Sequence, residues 1–417
     1  MAVKLGKNKK NILAVLDIGT HKMGCLIAHK DDKNGFRIIG QGHQFSEGVS
    51  HGSIIDLELA EAAISATVDE AEHQAGEKVG SVFMNLSAGR PSTSIYSYPV
   101  QFSGGKIMDS DIRNWIDPTS YQQEFTDTKI LVQATPVRYR VDGEVVPNPK
   151  DLYGTSIEVD MLLTTALASP MRNLEQTIRR SRLAISGQVT SAMASSLACL
   201  SPDEMRIGAI VLDFGGGTIS WALWKDGYFS NSGEIPGGGL DITLALAKAF
   251  STTLENAERL KTLHGSVLSH DINATEAIDV EQVAESGELA EFTKGDLNRI
   301  VRNRINTQLS ELSLKLNSIR GANDIKRVVV TGGSSEFPGI PELVGKRLNR
   351  EGHVRLGRPQ VPYQSEHIVN SPVWSTAIGL LHFATQDIYT PLDRDVGNLN
   401  HQSSLIGRIR NWFRLAF

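Results

Sequence analysis

Apolar positions along this chain come in short unbroken runs and in stretches of helical period, and the two alternate. The segment "NILAVLDIGTHKMGCLIA" (11–28) is apolar from Ile12 to Leu16, stops at Asp17, turns on Gly19 and Thr20, and becomes apolar again from Met23. This predicts a buried strand, a tight turn and a second strand. "FRIIGQG" (36–42) reads as another strand, "DLELAEAAISATVDEAEHQAG" (56–76) as a helix with Asp56 as its cap, and "VGSVFMNLS" (79–87) as a strand.

Between about 87 and 165 the pattern changes to prolines, tyrosines and β-type runs: "STSIYSYPVQ", "KILVQATPVRYRVDG" and "TSIEVDMLLTT". The shift predicts an inserted subdomain. The α/β alternation resumes with "PMRNLEQTIRRSRLAISG" (170–187) as a helix and a further helix near Met193. "IGAIVLDFGGGTISWALW" (207–224) then repeats the opening phrase and starts a second α/β half. Within it, residues 241 to about 320 are mostly helical and charged, "RVVVTGG" is a strand, and "SPVWSTAIGLLHFA" is an apolar helix. Trp221 and Trp224 are expected to pack at a sheet edge. Residues 387–403 have no period and read as a flexible linker.

At 417 residues the chain exceeds what one hydrophobic core supports, so at least two domains are expected. Hydrophobic content of 40% and charged content of 21% describe an ordinary globular protein. A net charge of −5 gives no whole-molecule attraction to nucleic acid, and none is expected as a partner. Cys25 and Cys199 cannot form a disulfide framework, which fits a reducing compartment. The histidines at 21, 29, 43, 51 and 73 lack metal-ligand spacing. Residues 1–10 are read as a short basic leader, and no run of 18 apolar residues suggests a bilayer span.

The repeated phrase carries the chemistry. Asp17 and Asp213 occupy equivalent places, each at the end of an apolar strand and before a glycine turn. Gly19 in one copy, and Gly215, Gly216 and Gly217 in the other, let backbone N–H groups approach phosphate oxygens. Thr20 and Thr218 add hydroxyl donors, and Lys22 adds a point charge. Carboxylates repel phosphate, so their role is to hold Mg²⁺ through its water shell. Two such hairpins facing each other would clamp a polyphosphate. A third element, "VVVTGGSSEFPGIPEL" (328–343), puts Gly332, Gly333 and Ser334 after a strand, where flat backbone can lie against a purine or ribose. In "IPGGGLDITLALA", Gly237, Gly238 and Gly239 precede a helix read as capped by Asp241, and helix N-termini attract anions.

These motifs resemble the ATPase fold shared by actin, sugar kinases and heat-shock chaperones: "LDIGTHK" and "LDFGGGT" as phosphate motifs, "VVVTGGSS" as the adenosine motif, "WSTAIGLL" as the second connecting helix. The implied fold is α/β: two duplicated halves with nucleotide in the cleft, plus an inserted α+β subdomain and a C-terminal amphipathic helix. In chaperone-like members a Glu-x-x-Lys pair flanks the adenine and ribose. Glu258 and Lys261 have that spacing, which equally fits an exposed charged helix face.

Nearly the whole chain is similar to the FtsA family of bacterial cell-division actin homologues, on phrases such as "GQGHQFSEGVSHGSIIDLE", "TGGSSEFPGIPEL", "VRLGRP" and a basic-aromatic ending. The resemblance implies a first half over 11–86 and 166–205, an inserted subdomain called 1C over 87–165, a second half over 206–240 and 321–386, and a helical subdomain 2B over 241–320. It implies an ATP-binding, Mg²⁺-dependent filament former on the cytoplasmic face of the membrane at the division site. Its implied partners are itself, anionic lipids, the C-terminal peptide of the tubulin-like protein FtsZ, and later division proteins through the inserted subdomain. The helix at 299–316 reads as a solvated charged face; within the resemblance it lies in 2B, and Arg302 or Arg304 is assigned to the acidic FtsZ peptide. The first connecting helix has Ser191 near the place where efficient ATPases put a Gln or Glu, and no acid between Thr190 and Leu200, which implies slow hydrolysis. A small-molecule kinase or phosphatase of the same fold, a chaperone-type ATPase and a pilus-assembly relative are the competing readings.

"SLIGRIRNWFRLAF" (404–417) supplies the last expectation. At about 100° per residue, Leu405, Ile406, Ile409, Trp412, Phe413, Ala416 and Phe417 share an arc, with Arg408, Arg410, Asn411 and Arg414 on the rest. Following a polar linker, this predicts an interfacial helix on anionic lipid.

Overall fold

The computed structural model describes residues 11–31, 35–117, 128–146, 148–268, 273–283, 289–362 and 370–385. The predicted leader 1–10, linker 387–403 and helix 404–417 lie outside the described residues.

The chain opens with strands β1 (Ile12–Ile18), β2 (Lys22–Lys30) and β3 (Phe36–Phe45), then the short pair β4 (Val49–Ser50) and β5 (Ser53–Ile54). Helix α1 (Leu57–Ala75) follows, with Asp56 accepting from the N–H groups of Glu58 and Leu59 as its sequence predicts, and then β6 (Ser81–Leu86). The inserted segment contributes β7 (Ser92–Val100), β8 (Gly105–Lys106), α2 (Asp109–Trp115), β9 (Lys129–Val141), β10 (Glu144–Val146), β11 (Tyr153–Gly154) and β12 (Ile157–Leu167). Helix α3 (Ala168–Arg180), strand β13 (Ala184–Thr190), and helices α4 (Ser191–Cys199) and α5 (Pro202–Ile207) return to the first half.

The second half begins with β14 (Ala209–Phe214), β15 (Thr218–Lys225) and β16 (Tyr228–Pro236), then α6 (Gly239–Phe250) and α7 (Leu254–His264). A hairpin of β17 (Ala277–Glu281) and β18 (Leu289–Thr293) leads into the long α8 (Lys294–Asn317). Strand β19 (Arg327–Thr331), α9 (Ile340–Leu348), β20 (Val354–Leu356) and α10 (Ser375–Thr385) complete the described chain.

A five-stranded sheet ordered β13-β6-β1-β2-β3 forms the first half, and a nine-stranded sheet ordered β10-β9-β12-β7-β16-β15-β14-β19-β20 runs through the inserted segment into the second. The join between them is narrow, only Asn231↔Ser94 and Ser232↔Thr93 pairing β16 to β7. The inserted segment has its own core, centred on Ile107, Trp115, Tyr139, Val159 and Met161. The duplication is visible in register. In β1–β2, Asp17 faces Gly24 around a turn closed by Gly19 N–H to Lys22 O (3.2 Å); in β14–β15, Asp213 faces Ser220 around a turn closed by Gly215 N–H to Thr218 O (3.0 Å).

Three sequence expectations are corrected. The helix expected over 170–187 stops at Arg180, because Arg182 takes φ 60°, and residues 184–190 form β13 parallel to β6. Trp221 and Trp224 lie on an interior strand, not an edge, and three positions of strand alternation send them to cores on opposite sheet faces. The third concerns Asp241: it sits in the first turn of α6, whose N-cap is Gly238, so it does not cap that helix. The structure also adds a strand unforeseen in the sequence, β16, whose run "YFSNSGEIP" is mostly polar.

Helices α4 and α10 pack so closely that a Cβ at Gly379 would lie 1.7 Å from the Ala194 carbonyl oxygen. Gly379→Ala is therefore expected to cost at least about 2 kcal/mol, read as a lower urea midpoint. Gly80→Ala, where a Cβ meets nothing within 4 Å, is the comparison and should be near neutral.

Candidate functional site

A cleft of about 510 Å³ opens where the two Asp-Gly turns meet. Both turns bear on one another directly. A Cβ at Gly217 would come 2.5 Å from Thr20 Oγ1, and one at Gly216 would come 2.7 Å from His21 Cβ, so only glycine permits this approach. Gly238 backs the second turn: at φ 134° a Cβ there would strike Gly215 O at 2.4 Å. The N–H groups of Gly237, Gly239 and Leu240 donate to the carbonyls of Gly217 (3.1 Å), Gly215 (3.0 Å) and Gly216 (2.7 Å). The first amides of α6 are thus spent on seating the turn, and the helix end positions the loop instead of holding an anion itself.

Asp17 and Asp213 both line the cleft. Burial and the charge of Asp213 push the Asp17 carboxyl up to about 8, with Lys22 opposing. Asp17 keeps part of its side chain open to the cleft, so water there moderates the cost of ionising it. Burial likewise raises Asp213, against the hydrogen bonds it accepts from Ser195 and Thr376. Lys22 lines the same wall, its Nζ 4.9 Å from the centre of the Trp374 ring. Thr20 is held by Gly52 N–H at 3.0 Å, and Asn85 ties the β1 turn to α4, accepting from Ile18 N–H (2.8 Å) and donating to Ser191 Oγ (3.1 Å).

Glu258 and Lys261 are brought into the cleft by α7. Lys261 is buried and donates to Glu258 Oε2 (2.6 Å), Thr243 Oγ1 (2.9 Å) and Gly239 O (3.1 Å). Although burial opposes it, Lys261 together with the Thr243 hydroxyl holds the Glu258 carboxyl below its ordinary range. Facing this pair, Gly332 turns at φ 85°, and a Cβ at Gly333 would meet only Val373 Cγ2 at 3.6 Å, leaving a flat strip of backbone beside Ser334. Phe337, Pro338, Pro372 and Val373 complete that end of the cleft. One end is thus charged and glycine-lined, the other flat and apolar, which suits a phosphorylated ligand carrying a planar ring.

A hydrated dication fits the charged end. Two buried carboxylates, one of which is pushed up further by the charge of the other, are relieved by a cation, and among the described residues no group of three or more His, Cys, Asp or Glu side chains could ligate a metal directly. Coordination through water is the mode two carboxylates support.

Every nucleotide-site residue expected from sequence lines this cleft except Gly238, which supports it from behind. Sequence reasoning missed His21, Asn85, Ser195, Val373 and Thr376. His21 and Thr376 stand inside the quoted phrases "LDIGTHK" and "WSTAIGLL" without having been singled out, and Asn85, Ser195 and Val373 offered no signal of their own. Arg302 and Arg304 stand apart on α8. Two positions of a helix separate them by about 200°, so one acidic group cannot grip both. Arg302 is half-buried and Arg304 exposed. Leu405 to Phe417, expected from sequence to meet the membrane, lie outside the described residues. Among the described residues no helix is long and apolar enough to cross a membrane, and Cys25 and Cys199 are both buried and free.

The Asp17 environment generates a prediction with a fixed sign. Between about pH 4 and 8 the folded chain keeps a proton that the unfolded chain has released, so stability falls as pH rises through that window. Asp17→Asn removes the liability: its stabilisation of the ligand-free, cation-free protein should be about 1 kcal/mol or more at pH 8 and smaller at pH 5. An equal shift of the thermal midpoint at both pH values would contradict the assignment.

Comparison with known proteins agrees with this architecture. The sequence profile described as "Cell division protein FtsA" matches residues 210–379, and that of the "SHS2 domain inserted in FTSA" matches residues 90–165. The chain is 32% identical over 431 residues to the cell division protein FtsA of Agrobacterium fabrum, covering 99% of this chain and 96% of that protein. To FtsA of Escherichia coli it is 26% identical over 424 residues, covering 98% and 99%. Among solved structures, the PilM–PilN type IV pilus biogenesis complex matches with a TM-score of 0.64 at 16% identity, over 89% of this chain and 98% of that one. MreB5 of Spiroplasma citri bound to AMPPNP matches with a TM-score of 0.54 at 12% identity, over 89% and 95%. The structural likenesses establish the actin-like fold, and the sequence likeness, carried through both halves and the inserted module, places the chain in the FtsA family of cell division proteins.

Proposed function

We propose that the cleft binds Mg·ATP and that the bound state favours self-assembly into filaments, which attach to the cytoplasmic face of the membrane and hold FtsZ there. The observation that carries the nucleotide part is the contact of two duplicated Asp-Gly turns across one cleft that ends in a flat, apolar strip. The turns of Gly19 to Lys22 and Gly215 to Thr218 supply N–H and hydroxyl donors to phosphate oxygens. Asp17 and Asp213 hold the cation's waters. Glu258 and Lys261 flank the ribose, and Gly332, Gly333 and Ser334 lie under the base. Mg²⁺, when bound, neutralises phosphate charge.

Hydrolysis is slow on this reading. Ser191, at the first position of α4, offers a hydroxyl where a water-orienting carboxamide or carboxylate would be needed, and it is already engaged by Asn85. That argues against the kinase and phosphatase readings. The likeness to the pilus complex is one of fold, while the likeness to cell division proteins extends through the sequence of nearly the whole chain.

Attachment rests on residues 404–417. Leu405, Ile406, Ile409, Trp412, Phe413 and Phe417 form the apolar arc, and Arg408, Arg410 and Arg414 meet anionic lipid at about 1 kcal/mol each. One such helix binds reversibly, and many side by side along a filament bind durably. For the FtsZ peptide, exposed Arg304 is better placed than Arg302.

Two tests follow. In fluorescent-nucleotide titrations, Asp213→Ala and Gly216→Val should each weaken Mg·ATP binding at least about tenfold, since one removes the cation's support and the other drives a side chain into His21. Affinity like that of the unaltered chain in both would sink the nucleotide reading. Trp412→Glu, or deletion of 404–417, should abolish co-sedimentation with anionic vesicles and leave nucleotide binding intact. Persistent pelleting of the truncated chain would place the anchor elsewhere.

A further inference from the structure

Asp213 is held by two hydroxyls from two different helices. Ser195, fully buried on α4, donates to Asp213 Oδ2, and Thr376, on α10, donates to the same oxygen at 3.0 Å. The two hydroxyls also lie 3.0 Å from each other. Asp213 is itself on β14 of the second half, so three elements converge on one carboxylate oxygen. The other oxygen lies against Gly332, where only glycine leaves it room, since a Cβ there would lie 2.3 Å from Oδ1. Both donors stand next to the place where α4 and α10 touch backbone to backbone, at Ala194 and Gly379. A second chain of hydroxyls continues behind them, Thr331 Oγ1 lying 2.6 Å from Ser375 Oγ and Cys199 Sγ 3.4 Å from Ser375 Oγ.

A buried Ser and a buried Thr on closely packed helices would ordinarily bond their own backbone carbonyls, as Ser196 does to Ala192 O at 2.6 Å. Ser195 and Thr376 instead spend their protons on Asp213. With Oδ2 occupied by two donors, the carboxylate plane is fixed and Oδ1 is the oxygen left for the cleft.

We propose that Ser195 and Thr376 are positioning residues for the cation, and that through them the affinity for Mg²⁺ and the packing of α4 against α10 are set by the same bonds. This rests on the Mg·ATP reading of the cleft. A cation drawing on Asp213 then stiffens the helix crossing behind it, and loosening that crossing weakens the cation. Ser195 is fully buried and stands behind the cleft wall, and Thr376, which reaches that wall, turns its hydroxyl to Asp213, so on this proposal their removal affects the metal-dependent part of binding more than the nucleotide's own contacts.

The test measures fluorescent-ATP affinity for the full chain and its Ser195→Ala, Thr376→Val and Thr376→Ser variants, in Mg²⁺ and in EDTA, with amide hydrogen exchange of α4 and α10 followed on adding Mg²⁺ to the ATP complex. For Ser195→Ala and Thr376→Val, affinity in Mg²⁺ should fall about tenfold, as outer-shell partners of a metal typically do, while affinity in EDTA stays within about twofold. Exchange in α4 and α10 should slow with Mg²⁺ in the unaltered chain and not in these two variants, and Thr376→Ser, which keeps the hydroxyl, should behave as the unaltered chain. Equal losses in Mg²⁺ and EDTA, no loss, or failure of Thr376→Ser to rescue would overturn the proposal while leaving the nucleotide site standing. If the unaltered chain binds ATP no better in Mg²⁺ than in EDTA, the cleft reading falls and this proposal with it.

Discussion

Asp17 and Asp213 line one cleft, near enough for the charge of Asp213 to raise the Asp17 carboxyl, and much of the molecule can be read as the means of keeping them there. Each ends a strand of the same hairpin form, and each hairpin is closed by the same hydrogen bond. Two sheets of different size carry them, yet the turns touch, because Gly216 and Gly217 present no side chain to Thr20 and His21. Left alone, the pair repel, and Asp17 holds its proton to about pH 8. On the proposed reading a cation would convert that repulsion into attraction for both halves at once, which would make the site a lever on the angle between them.

The rest of the cleft divides the remaining labour. The α6 amides support the second turn, α7 brings in an ion pair that is satisfied internally, and the Gly332–Gly333 strip leaves flat space. Behind the carboxylates, α4 and α10 are in backbone contact, so a change in the cleft has a stiff element to act upon. Assembly and membrane attachment, on the proposed reading, multiply a weak interfacial helix by the number of subunits in a filament.

How much of this was legible beforehand depended on the kind of signal. The two turns were plain in sequence because glycine and aspartate after an apolar run restrict what the backbone can do, and the duplication repeated the statement. Asp56 as a helix cap was legible for the same local reason. Glu258 and Lys261 were ambiguous, since burial is a property of what α7 packs against, not of spacing along it. Ser195 and Thr376 left no trace, because hydroxyls in apolar helices look alike until their acceptor, far off in sequence, is placed. The strand β16 was hidden by its polar letters: Ser232 and Gly233 are buried in it, and a Cβ at Gly233 would lie 2.7 Å from the Trp221 ring. The overrun of α3 into β13 came from reading continued apolar spacing past Arg182, whose left-handed backbone ends the helix.

The central claim is that a cation and a nucleotide enter together where Asp17 is held protonated, and calorimetry of ATP binding in buffers of different ionisation enthalpy tests it most directly. At pH 7, below the value of about 8 for Asp17, binding in Mg²⁺ should release up to about one proton, and binding in EDTA should release less. Binding of ATP that is indifferent to Mg²⁺, or that proceeds in Mg²⁺ with no proton released, would contradict the account.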